Sequence, residues 1–130
     1  MVKGKYFTGG DNLEKIVRQS MLYDFYGELL TEHQKSIYEE VVFNDLSYSE
    51  VATINNISRQ GVYDMIKRCD KILEDYEAKL KLVDKFLKAK EQIKLIKEAA
   101  CQLKDMNSDE RLNIKIKEIE EYSDSILEEF

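Results

Sequence analysis

The sequence predicts an all-α fold: a helix-turn-helix bundle followed by a long helix and a C-terminal return helix. Three observations predict it. The 130 residues contain no proline and only five glycines, where ordinary usage of about 5% and about 7% would supply about six and nine. Three of those glycines, Gly4, Gly9 and Gly10, fall within the first ten residues, so the body lacks the turn residues that sandwiches, barrels and Rossmann folds need. Finally, apolar residues recur at three- and four-residue spacing, with Ser, Thr and Asn standing where helices would begin and end.

The elements follow in order. Residues 1–12 have few apolar anchors and read as a flexible leader. Asp11 or Asn12 caps a first helix carrying Leu13, Ile16, Val17, Met21, Tyr23, Phe25, Tyr26, Leu29 and Leu30. Thr31-Glu32-His33-Gln34 has the capping-box form, in which the first and fourth side chains satisfy each other's backbone N–H groups. It starts a second helix with Ile37, Tyr38, Val41 and Val42, and Asn44-Asp45 makes a turn. Ser47-Tyr48-Ser49-Glu50 is another capping box, opening a short helix with Val51, Ala52 and Ile54. Asn55-Asn56 interrupts it, because asparagine tolerates the left-handed conformation that ends helices.

Ser58 caps the next helix. Apart from Gly61, no breaker follows until Asp105-Met106-Asn107-Ser108. One long helix, or two nearly collinear ones, should therefore cover about 59–104. Asn107 or Ser108 then caps a last helix bearing Leu112, Ile116, Ile119, Ile126, Leu127 and Phe130. This divides the chain into the leader, a helix-turn-helix bundle over 13–75, and an extension over 76–130 for dimerisation or packing.

Two seams run along the long helical stretch. Leu73, Tyr76, Leu80, Val83 and Leu87 form one; Leu82, Phe86, Ala89, Ile93, Ile96, Ala100 and Leu103 form the other, at coiled-coil spacing. The second seam suits either a dimer or a pairing with 108–130. Charge is unevenly spread. The net charge is −6, yet residues 79–97 hold seven lysines against two acidic residues, and 105–130 hold nine acidic residues against three basic ones.

Catalysis leaves little trace. The one histidine, His33, sits beside a helix cap, and Cys69 and Cys101 are too isolated to form a disulfide framework or a metal site. No phosphate-binding loop, nucleophile elbow or zinc motif is present, so no enzyme, cofactor, metal or small-molecule substrate is expected. No run approaches the roughly 18 apolar residues of a membrane helix, nor does the start have a signal-peptide stretch. The chain reads as cytoplasmic.

Ser47 to Arg68 carries the functional signal: a short helix, a tight turn and a second helix. Ala52 supplies the small residue where the helices approach, Asn56 the positive φ, and Ile57, Val62, Met65 and Ile66 the apolar lock. An ordinary helical hairpin has the same outline. In the helix-turn-helix reading, Ser58, Arg59, Gln60, Tyr63, Asp64 and Lys67 face a major groove, with Arg68, Lys71 and Lys35 placed for phosphates. Arginine suits the guanine edge and glutamine the adenine edge. Asp64 fits poorly against phosphate and is expected to pair with Lys67 or Arg68. Tyr63 could stack on a base or pack inside. Helix-turn-helix proteins commonly bind as dimers, so a homodimer is expected.

These residues resemble a known family. Arg18-x-x-x-Leu22-x-Asp24-Phe25-Tyr26-Gly27-x-Leu29-Leu30-Thr31-x-x-Gln34 looks like the opening of the YlxM proteins of Gram-positive bacteria. Asp45-Leu46-Ser47-x-x-Glu50-Val51-Ala52, Ile57-Ser58-Arg59-Gln60-Gly61-Val62-Tyr63-Asp64-x-Ile66-Lys67-Arg68 and Leu73-Glu74-x-Tyr76-Glu77-x-Lys79-Leu80 continue the match, over roughly 18–83. The resemblance implies a fold like the fourth conserved region of sigma factors, DNA binding, and a regulatory role in the signal recognition particle pathway through its protein or RNA. Asn55 departs from the family's usual apolar residue before the turn, so the first helix should anchor through Ile54 or pack more loosely. The resemblance says little about 87–130.

Overall fold

The computed structural model describes residues 9–129; of the leader expected over 1–12, residues 1–8 lie outside them and 9–12 belong to the first helix. Every regular element among the described residues is helical: α1 (Gly9–Tyr26), a 3₁₀ turn (Gly27–Leu29), α2 (Glu32–Val42), α3 (Tyr48–Asn55), α4 (Arg59–Leu80), α5 (Leu82–Met106) and α6 (Glu110–Glu129). The chain divides into two units, the first ending at Val83 and the second beginning at Asp84.

The local signals fold as their chemistry dictates. Both capping boxes form, Thr31 with Gln34 and Ser47 with Glu50. Hydrogen bonds from Ser47 hold the Glu50 carboxyl below its usual range. The first helix begins at Gly9, before either expected cap, and gives way to the 3₁₀ turn after Tyr26. Along the helix and the turn that follows it, Gln19, Leu22, Tyr26 and Leu30 are buried, while Leu13, Val17, Phe25 and Leu29 are exposed. Gly27 is buried against the Tyr23 ring, where a Cβ would lie 2.9 Å from ring carbons.

The core of the first unit gathers Leu22, Tyr26, Ile37, Tyr38, Val51, Val62, Ile66, Cys69, Leu73 and Val83. Burial pushes the Cys69 thiol up to about 11, so it packs as a small apolar group rather than reacting as a thiolate. Helices α1 and α4 run parallel in one register. Gln19 donates to Asp70 at 3.0 Å and Tyr26 to Glu77 at 2.6 Å, each pair 51 residues apart. Tyr38 of α2 donates to the same Asp70 at 2.6 Å, and burial together with that bond raises the tyrosine pKa.

Of the two alternatives expected over 59–104, the single unbroken helix does not form: two helices meet at Lys81, whose φ of 58° and ψ of 27° are left-handed. No residue there is a helix breaker; tertiary contacts impose the break. Glu77, only 6% exposed, accepts from the Tyr26 hydroxyl and, at 3.0 Å, from the Val83 N–H. The Leu82 N–H donates to the Tyr26 oxygen at 3.1 Å. The first two amides of α5 are thus satisfied from α1 and α4 rather than by the preceding turn. The break also ends the first seam, leaving Leu80 and Leu87 exposed while Leu73 and Val83 are buried.

The second unit is a hairpin of α5 and α6. Lys97 meets Asp124 at 2.5 Å and the Cys101 thiol donates to Glu120 at 2.9 Å. A step of four forward on α5 therefore matches four back on α6, the antiparallel pairing of the second seam with 108–130. Ala100, Ile116 and Ser123 are buried. Asp109, not Asn107 or Ser108, caps α6 by accepting from the Arg111 N–H at 2.9 Å; Asn107 instead donates to Asn113 across the bend.

Two stability changes follow. Tyr26→Phe removes a donor from Glu77 and the acceptor of the Leu82 N–H, and should cost about 1–3 kcal/mol in urea unfolding. Lys81→Gly should raise stability by about 0.5–1 kcal/mol, because glycine takes the left-handed conformation without the Cβ penalty.

Candidate nucleic-acid interface

The Ser47–Arg68 stretch folds as a helix-turn-helix. Asn56 ends α3 at φ 56° and ψ 44°, and its asparagine side chain tolerates that conformation where most residues do not. The Ile57 N–H donates back to the Ala52 carbonyl at 3.0 Å. Ser58 then caps α4, its hydroxyl accepting from the Gly61 N–H at 2.9 Å. A Cβ on residue 61 would sit 3.1 Å from that hydroxyl, so glycine suits the tight first turn. Val51, Ala52, Val62 and Ile66 are buried, with Ile57 and Met65 half-buried against them.

Asn55 is held differently from either expectation. Ile54 does not anchor α3, being 61% exposed. The half-buried Asn55 amide donates at 2.8 Å to Glu40 and at 2.9 Å to the Val51 carbonyl. A polar clamp from α2 therefore replaces the apolar residue usual before the turn.

With the apolar side of α4 turned inward, its opposite side presents Ser58, Arg59, Gln60, Tyr63, Asp64, Lys67, Arg68 and Lys71, all exposed. Tyr63, 41% exposed, does not enter the core. It meets Tyr48 edge-on, with ring centres 6.0 Å apart, and the Lys67 ammonium lies 5.3 Å from its ring centre. These contacts make a small platform of one ring with a cation over it. The Tyr48 hydroxyl has its pKa raised by burial, with Asp70 adding to the effect.

Two expected residues are partly engaged. Gln60 donates to Asp64 at 2.9 Å, so Asp64 takes Gln60 as a partner rather than Lys67 or Arg68, and one of the two Gln60 N–H donors is engaged. Lys71 pairs with Asp75 at 3.2 Å, an exposed i,i+4 pair of small worth. Lys35 is drawn away from a phosphate role: its side chain is 17% exposed and bridges Glu28 at 2.9 Å and Glu32 at 3.7 Å. Sequence reading missed Tyr48 as the support of Tyr63; their 15-residue separation across a turn gives no periodic signal. Among the described residues no group of His, Cys, Asp and Glu could hold a metal ion, and no helix is long and apolar enough to cross a membrane.

Comparison with known proteins agrees with this geometry. Residues 13–114 match the model of the family described as "Putative helix-turn-helix protein, YlxM / p13 like". A UPF0122 protein of Geobacillus sp. (strain WCH70) is 43% identical over 109 residues, covering 84% of this chain and 97% of that protein. The UPF0122 protein YlxM of Bacillus subtilis (strain 168) is 45% identical over 94 residues, covering 72% and 86%. A UPF0122 protein of Staphylococcus epidermidis (strain ATCC 35984) is 40% identical over 113 residues, covering 87% and 97%. No solved structure matches the chain.

The turn can be tested directly. Asn56→Val should cost about 1–2 kcal/mol, the left-handed penalty for an L residue with a Cβ, whereas Asn56→Gly should fold as well as the parent. Thermal unfolding followed by circular dichroism separates the two.

Proposed function

The chain belongs to the YlxM / p13-like family of helix-turn-helix proteins, and from that premise we propose that it is a DNA-binding regulatory protein. One observation carries the reading. The start of α4 presents Arg59, Gln60, Tyr63 and Lys67 together on the exposed side of a helix whose other side is locked into the core. A recognition helix needs that combination of rigid backing and outward hydrogen-bonding side chains. Arg59, Gln60, Tyr63 and Lys67 contact base edges, and Ser58, Arg68 and Lys71 reach phosphates. Residues 58–72 hold four basic against two acidic side chains, which reverses the acidic background locally.

The finer assignment is a cytoplasmic homodimer, as helix-turn-helix proteins commonly are, with a regulatory role in the signal recognition particle pathway that rests on family resemblance. A second reading is favoured by the basic stretch of 79–97, seven lysines against two acidic residues. In it the chain is an RNA-binding or protein-interaction adaptor of that particle, and the helix-turn-helix serves as scaffold. The family is one of helix-turn-helix proteins rather than of enzymes, and catalysis enters neither reading.

Fluorescence anisotropy at two salt concentrations tests this, with duplex DNA and signal recognition particle RNA of equal length. DNA binding is expected with a steep salt slope, since released counterions accompany every phosphate contact. Arg59→Glu with Lys67→Glu should weaken it by about 30-fold or more, at about 1–3 kcal/mol for each base-reading side chain. Unchanged affinity in that variant would overturn the DNA reading, and RNA binding that survives it would favour the adaptor.

A further inference from the structure

The α5–α6 hairpin has two unlike flanks. One is polar and closed by Lys97 with Asp124, Lys104 with Glu120 and Cys101 with Glu120. On the other flank, both helices lay out apolar side chains at heptad spacing: Ile96 and Leu103 on α5, Leu112, Ile119 and Ile126 on α6, with Met106 near the bend. These six are 43–84% exposed. The antiparallel register sets Ile96 level with Ile126 and Leu103 level with Ile119, so the stripes combine into one face two helices wide. Among the described residues of the second unit, only Ala100, Ile116 and Ser123 are buried.

We propose that this face is a dimer interface occupied by the same face of a second copy, completing a four-helix bundle. The inference takes up the homodimer named above and assigns it a surface; it rests on the hairpin alone and needs no nucleic acid.

Three features select a second copy. The six side chains expose on the order of 600 Å² per copy, at the top of the range for the largest apolar patch of a monomer, and with their rims they approach the roughly 800 Å² per partner of a specific interface. Heptad steps on both helices suit helix-on-helix packing, and a face built from two antiparallel stripes is complementary to itself under a two-fold axis.

A two-fold along the helices sets each α5 beside the partner's α6 at the same level, and leaves the charged pairs Lys97–Asp124 and Lys104–Glu120 on the outer flank of each hairpin.

Light scattering coupled to size exclusion is the test, on the full chain at about 100 μM and lower. The expected particle has twice the 15.3 kDa chain mass. Leu103→Asp with Ile119→Asp should give the monomer with helical content retained. Leu87→Asp, on the opposite side of α5, should remain a dimer. If the double variant loses helicity, mixed single variants Ile96→Cys and Ile126→Cys in a Cys101→Ser background decide instead, through a disulfide that can form only between copies. A monomeric parent, an undisturbed dimer in the folded double variant, or no cross-link would overturn the proposal. A dimer that ignores DNA and RNA would overturn the nucleic-acid readings and leave this interface standing; a monomer that binds them would do the reverse.

Discussion

The buried carboxylate of Glu77 fixes where α4 ends and α5 begins. A carboxylate out of water is costly unless hydrogen bonds replace its hydration, and here the Tyr26 hydroxyl and the Val83 N–H supply them. The position is favourable for a second reason, because the carboxylate stands at the N-terminus of α5, where the helix dipole attracts negative charge. Satisfying Glu77 in this way requires the chain to turn at Lys81. The cost of one left-handed residue, roughly 1–2 kcal/mol, is offset by completing the network. Val83 then joins the core and closes the first unit.

Asp70 has the matching role about two helical turns closer to the recognition end of α4. It collects donors from α1 and α2, through Gln19 and Tyr38. Together, Asp70 and Glu77 pin the inner side of α4 to two other helices at points far from the turn. The outer side of the same helix begins with Arg59, Gln60 and Tyr63. The N-terminal end of α4 is therefore held by these distant polar contacts as well as by the apolar lock of Val62 and Ile66. A groove-reading helix needs such backing, since a side chain displaced by about 1 Å loses hydrogen-bond geometry.

What was legible in the sequence is what local chemistry decides. Thr31 with Gln34, Ser47 with Glu50, Ser58 and Asn56 act within four residues of themselves, and each takes its expected role. The helical class and the outward side of α4 follow from spacing in the same way. The rest depends on contacts across the chain. Leu80-Lys81-Leu82 contains no breaker, and the pairs that force the break are 51 and 56 residues apart. Nothing in the periodicity marks Gln19 or Glu77 as buried, because the partner of each lies 51 residues away. Ile54 misled for the opposite reason: it is apolar and correctly spaced, yet Asn55 with Glu40 takes the inward position.

The acidic net charge bears on how such a face could act. Charges beyond a Debye length, about 10 Å at 0.1 M salt, are largely screened, so the overall −6 weakens long-range attraction to a polyanion more than it alters contact energies. At contact distance the face is mixed. Arg59, Lys67 and Arg68 attract phosphate, while Asp64 repels it and holds Gln60 by a hydrogen bond. A ligand offering only phosphates gains little from Gln60 and meets the repulsion of Asp64 in full. A ligand with a base edge that replaces the Gln60–Asp64 bond offsets some of that cost. On the proposed reading, the carboxylate thus acts against indiscriminate backbone binding and moves the affinity of the face toward hydrogen-bond matching at the start of α4.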